Sequence, residues 1–168
     1  MKILTLVRHA KSSWNDPTLT DRQRPLNTRG ERDAPKMGKR IVNHGIRPSL
    51  IISSPAARAW TTARIIAQEI GYPAEFLQRE DSLYLASLDD LLAVVAAQDN
   101  GFNSLLVVAH NPGLTEFANF LQPGLTNNLP TAGVVSVQIE SDDWSLYEQP
   151  ETELLAYDYP KLAVNTES

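Results

Sequence analysis

Two of the chain's three histidines stand directly after apolar runs. Arg8 and His9 follow the run at 3–7, and His110 follows SLLVVA at 104–109. Ser53, Ser54 and Arg58 close a third run at 50–53 and lead into a helical pattern. Two guanidinium forks and two imidazoles suit a phosphoryl group. Arginine donors match its oxygens bidentately, and a neutral imidazole is a competent nucleophile whose other nitrogen needs an acceptor to fix the tautomer. A second imidazole can donate to the phosphoryl oxygens. Such a transfer rests on positioning and electrostatics, and Arg8, Arg58 and a protonated His110 would supply much of the field. The serine-rich turn before residue 57 adds hydroxyl and backbone donors near the positive end of the helix that follows.

These residues converge only if the intervening elements bring three strand ends together. The pattern predicts a strand at 3–7, then a polar loop at 11–28 carrying Pro17 and Pro25. A helix runs to about Asn43, with Ala34, Met37, Ile41 and Val42 facing inward. Its start has two candidate caps, Thr28 with Glu31 three residues on, or Asp33 with Pro35 in the first turn. Further expected elements are a strand at 50–53, a helix at 57–70 stopped by Gly71, a short strand at 75–78 and a helix at 88–98. A strand at 104–109, a helix at 113–121, and strands at 134–140 and 154–159 complete the chain. This alternation predicts an α/β fold, a three-layer α/β/α sandwich around a mostly parallel central sheet. One of the last two strands, joined without a helix, is expected to be antiparallel. Ligands of such sheets bind beyond the C-terminal strand ends, where Arg8, His9, Arg58 and His110 fall.

Composition narrows the function. A chain of 168 residues with 42% hydrophobic and 21% charged residues reads as one globular domain, 1–160, with a polar tail at 161–168. A net charge of −5 argues against nucleic acid as a partner. With no cysteine there is no disulfide and no thiolate nucleophile or ligand. No window approaches the roughly 20 apolar residues of a membrane span, and the opening run is too short for a signal peptide. No membrane partner is expected, and a cytoplasmic location is the default. No cofactor and no metal are expected, because no ligands have i, i+4 spacing and the arginines would repel a cation.

Four segments in order, LVRHAKSSW, RPLNTRG, SSPAARAWTTA and VVAHNPG, resemble the histidine phosphatase superfamily, and within it the small SixA-type phosphohistidine phosphatases. The resemblance spans about residues 1–140. It implies a minimal phosphoglycerate mutase-like fold with no large inserted cap. It further implies His9 as the phosphorylated nucleophile, Arg8 and Arg58 as phosphoryl binders, and His110 completing the pocket. Ser12 and Asn15 fall where the superfamily's opening loop often carries a hydroxyl and an asparagine on the phosphate side. Ala10 stands where larger members commonly have glycine. Glu80 and Asp81 lie in the region where other branches carry a general acid. A phosphohistidine substrate asks less of such an acid, because its imidazole leaves neutral once protonated. The expected activity is therefore a metal-independent phosphatase acting on phosphohistidine in a protein of a phosphorelay or phosphotransfer system. Its rivals are a phosphatase of a small phosphorylated metabolite or O-phospho peptide, and a non-catalytic phospho-binding module.

Plainer roles compete for several residues. Arg8 could pair with Asp21 or Glu80 at the strand end. His44 before Gly45 suits a helix C-terminus. Arg32, Lys36, Lys39 and Arg40 form a basic helix face expected to be solvated. Trp14 and Trp60 are expected to pack, Arg64 to face elsewhere, and Arg24 and Arg29 to line the pocket mouth or brace their loop. Neither Ser53 nor Ser54 sits in a nucleophile-elbow motif.

Overall fold

The apolar runs form the centre of a six-stranded sheet in the computed structural model, which describes residues 1–163. The strands are β1 (Lys2–Arg8), β2 (Leu50–Ser53), β3 (Gln78–Arg79), β4 (Ser104–Ala109), β5 (Val134–Ile139) and β6 (Thr152–Asp158), in the spatial order β3-β2-β4-β1-β5-β6. β1, β2, β3 and β4 are parallel, and β5 alone is reversed, antiparallel to both β1 and β6.

Helices cover both faces. α1 (Thr28–Asn43) and α2 (Ala57–Ile70) bury Met37, Ile41, Ala63 and Ile66 against Val7, Ile51, Leu106 and Val108. α3 (Leu88–Ala96) and α4 (Gly113–Leu121) bury Leu91, Val95, Leu114 and Phe117 against Leu4, Leu6, Leu105 and Val107. Alternate side chains of β1 and β4 thus enter two different cores, which is why these strands are apolar without interruption. The expected three-layer α/β/α sandwich is the observed architecture.

Several boundaries differ from the expectation. α1 is capped by Asn27, whose Oδ1 accepts from Gly30 N at 2.9 Å, rather than by Thr28 or Asp33. Pro35 lies inside α1, where it costs only one bond, that to the Glu31 carbonyl. Residues 74–76 form a 3₁₀ turn, so only Gln78 and Arg79 pair with β2. α3 stops at Ala96, two residues early, and β6 begins at Thr152.

The basic face of α1 is only partly solvated. Arg40 donates to Asp158 and to the Tyr159 carbonyl, both at 2.8 Å, and Lys36 donates to the Pro160 carbonyl at 2.7 Å. His44 Nε2 lies 3.0 Å from the other Asp158 oxygen. Asp158 is buried, and Arg40, His44 and Lys36 together fasten the end of β6 across α1 while Arg32 and Lys39 stay exposed. The expected polar tail begins within this clamp; its residues 164–168 lie outside the described residues. Among the described residues no helix is long and apolar enough to cross a membrane.

Candidate active site

Strand register decides which polar residues meet. Arg8 pairs with Ala109, and Val7 pairs with Val108, which in turn pairs with Ser53. His9, His110 and Ser54 therefore stand one residue beyond three adjacent strands. The His9 and His110 ring centroids are 5.2 Å apart, tilted by 53°. Arg58 joins them from the first turn of α2, with 3% of its surface exposed. Arg8, His9, Arg58 and His110 line one cleft of about 170 Å³, together with Ser12, Trp14, Arg24 and Leu85 among others.

Arg8, His9 and His110 are each held by a hydrogen bond to a neighbouring group. His9 Nδ1 lies 2.7 Å from the Ala10 carbonyl. A carbonyl can only accept, so Nδ1 carries the proton and Nε2 keeps its lone pair. The Ala10 amide donates to Thr62 Oγ1, which donates to the Arg58 carbonyl one turn back on α2. The loop that carries His9 and the helix that carries Arg58 are thereby joined. The same loop packs closely on α1, where a Cβ at Gly30 would meet the Lys11 carbonyl at 2.1 Å. Arg8 Nη1 donates to the Leu129 carbonyl at 3.0 Å. Ser54 Oγ and His110 Nε2 are 2.7 Å apart.

Asp21 organises the arginines. Its carbonyl and carboxylate accept from Arg58 Nη1 and Nη2, and its other oxygen accepts from Arg24 Nε. Tyr84 donates its hydroxyl to the same carboxylate. Each Arg58 Nη keeps a second N–H beyond the one given to Asp21. Partial burial pushes the Asp21 carboxyl up, but the hydrogen bonds from Tyr84 and Arg58 outweigh it and hold the pKa at about 2.

The imidazoles are neutral. Burial, opposed by the Ala10 bond and reinforced by the nearby arginines, lowers His9 to about 4. Burial, then His9 and Arg58, lower His110 to about 3. His110 is therefore not the protonated donor expected from sequence; a bound dianion is what would raise it. Three buried side-chain nitrogens among the described residues lack a partner: Arg8 Nε, Arg58 Nε and His110 Nδ1. All belong to this cleft, and unsatisfied polar groups concentrated at one place mark a functional site more than a stabilising one.

The model of the histidine phosphatase superfamily (branch 1) matches residues 4–81. An uncharacterized chloroplast protein of Arabidopsis thaliana is 31% identical over 151 residues, 84% of this chain and 68% of its own length. The chain belongs to the histidine phosphatase superfamily. SixA of Agrobacterium tumefaciens superposes with a TM-score of 0.79 at 26% identity, covering 95% of this chain and 98% of that one. The protein histidine phosphatase SixA complexed with tungstate shares the fold at a TM-score of 0.77 and 22% identity, over 94% and 97% of the two chains. A 2,3-bisphosphoglycerate-dependent phosphoglycerate mutase of Chelativorans is 36% identical over 73 residues, only 35% of its length. Near-complete mutual coverage with SixA leaves no room for a large inserted cap in this superfamily member.

Not every candidate residue reaches the cleft. Ser12 does, but its hydroxyl accepts from Arg24 at 2.8 Å. Asn15 is exposed and does not line the cleft; its amide caps a turn on Ser13. Glu80 accepts from the Ser82 amide and faces a separate hollow beside α3, and Asp81 is exposed. Around the 3₁₀ turn at 81–83, neither Glu80 nor Asp81 lines the cleft. Arg8 pairs with neither Asp21 nor Glu80. Arg24 is buried against Asp21, while Arg29 binds Asp33 along α1. Trp14 does not pack inside: it is 74% exposed, beneath the Arg24 guanidinium at 3.5 Å. Trp60 carries Arg79 over its ring at 4.4 Å. Sequence reasoning missed Asp21 and Tyr84 as organisers, and Thr62. Only the i, i+4 spacing of Arg58 and Thr62 hints at any of them.

Proposed function

We propose that the protein is a metal-independent phosphatase that carries the phosphoryl group on His9 Nε2, and that its substrate is phosphohistidine in a protein. The observation that supports this most is the His9–Ala10 hydrogen bond, consistent with a proton on Nδ1 and a free Nε2 lone pair, in a cleft that Arg8 and Arg58 also line. In the first step the Nε2 lone pair forms a bond to phosphorus and the bond from phosphorus to the substrate nitrogen breaks. The substrate imidazole, protonated on its other nitrogen, leaves neutral. In the second step water oxygen attacks phosphorus, the phosphorus–Nε2 bond breaks, neutral His9 returns, and both water protons leave with the released phosphate, one of them passing on to solvent as it ionises. Arg8, Arg58 and His110 bind the phosphoryl oxygens and gain strength as charge shifts onto them.

Two further features favour an N-phosphate over an ester. The cleft is lined by basic, hydroxyl and apolar side chains, and Glu80 and Asp81 lie outside it. An alkoxide leaving group needs a proton far more than a neutral imidazole does. The fold is also shared over nearly the whole of both chains with SixA, solved with tungstate. The experiment is to mix the enzyme with a radiolabelled phosphohistidine protein, quench in base and map the label. Transient label on His9, lost in His9→Ala, is expected. Label elsewhere overturns the mechanism, and a kcat/KM higher by orders of magnitude on an O-phosphate ester overturns the substrate.

A further inference from the structure

Trp14 and Leu85 are large apolar side chains left 74% and 57% exposed at the mouth of the cleft that holds His9. An exposed large hydrophobe is informative when it borders a site rather than standing alone. Both are held in place. Arg24, pinned by Asp21 and Ser12, stacks on one face of the Trp14 ring at 3.5 Å. The rest of the indole stays open to solvent on a support that is already ordered, so a ligand stacking there orders little.

Leu85 is held at a cost. Its φ is +50°, a left-handed backbone that leucine rarely adopts. Strain of this kind persists only where the surroundings impose it, and it gathers at ligand-gripping positions. The surroundings do impose it. Leu83 and Ala86 are buried on either side, and the Ala86 carbonyl sits so close to Gly113 that a Cβ there would lie 2.0 Å away. Tyr84 meets the edge of His110 and donates to Asp21. With its neighbours fixed inward, Leu85 is turned outward to the cleft.

We propose that Trp14 and Leu85 form an apolar lip that grips the leaving group and selects a planar ring, the imidazole of phosphohistidine, over a small phosphorylated nitrogen. This rests on the phosphatase reading above and names the part of the site that reads the substrate's identity. Trp14 offers the face of its indole for stacking, and Leu85 covers the ring's edge and excludes water.

The test compares phosphoimidazole with phosphoramidate, which shares the phosphorus–nitrogen bond but has no ring. Trp14→Ala and Leu85→Asn should each lower kcat/KM for phosphoimidazole roughly two- to tenfold more than for phosphoramidate. Trp14→Phe should retain the preference. Asparagine tolerates the left-handed backbone, so Leu85→Asn should melt no lower than the parent. Trp14→Ala could also loosen Arg24; Leu85→Asn does not touch it. A Leu85→Asn enzyme that treats both substrates as the parent does overturns the lip and leaves the phosphatase reading standing. A parent enzyme inactive on both, with no label on His9, overturns that reading and the lip with it.

Discussion

Asp21 grips Arg58 at two points, its main-chain carbonyl accepting from Nη1 at 2.7 Å and its carboxylate from Nη2 at 3.0 Å. The loop after β1 thereby holds a side chain that α2 delivers, and Arg24 and Tyr84 bind the same carboxylate. The orientation of the Arg58 guanidinium is set by a residue outside its own helix.

Asp21→Asn should therefore act through Arg58. A hydrogen bond to a charged group is worth more than a neutral one, and a loss of about tenfold in kcat/KM is expected. The stability loss should be smaller, about 1 kcal/mol, because the Asp21 side chain is 41% exposed. Combined with Arg58→Ala, the change should add almost nothing; additive losses would dissociate Asp21 from Arg58. The depressed Asp21 pKa of about 2, against 3.8 ordinarily, means its stabilisation is complete above about pH 4 and lost as pH falls toward 2.

Neutral, buried imidazoles make a second pH window. His9 and His110 titrate near 4 and 3 rather than 6.5. Between pH 6.5 and about 4 the unfolded chain takes up protons that the native state refuses, so stability falls as pH drops through this range. Urea unfolding across that range should show the slope for the parent and a shallower one for His9→Asn and His110→Asn. Parallel curves would contradict the assigned neutrality.

Ser54 holds His110 by a single hydroxyl at 2.7 Å. Ser54→Ala should cost about 1 kcal/mol of stability and lower turnover roughly two- to tenfold, without altering label transfer to His9. Unchanged turnover would show that neighbours such as Tyr84 suffice to orient the ring.

The clamp around Asp158 should be separable from catalysis. Asp158→Ala leaves Arg40 facing an unpaired, largely buried position, and a loss of about 3 kcal/mol is expected with kcat/KM nearly constant. A matching fall in kcat/KM at a temperature where the variant is folded would tie the end of β6 to the cleft.

The sequence by itself determined the layers. Uninterrupted apolar runs at 3–7, 50–53 and 104–109 admit little but doubly covered strands, and Gly71, with φ of +78°, ends α2 where the pattern stops. It also determined that Arg8, His9 and His110 leave those strands at the same edge, since residues following parallel strands share one end of a sheet. Periodicity is a local property, and these conclusions need nothing beyond it.

Tertiary structure decided what depends on distant partners. That Asn27 rather than Thr28 caps α1 turned on where the backbone leaves the extended conformation, which it does after Asn27. That Asp21 serves Arg58, 37 residues on, and that Lys36 and Arg40 meet the end of β6 and the residues just after it 118 to 124 residues later, is written in no local pattern. Neutral histidines required knowing their burial, because desolvation is set by everything packed around a group. Glu80 and Asp81 resembled acids in position, but neither lines the cleft. Trp14, expected to pack, stands outside, where a pinned arginine supports its ring beside the cleft.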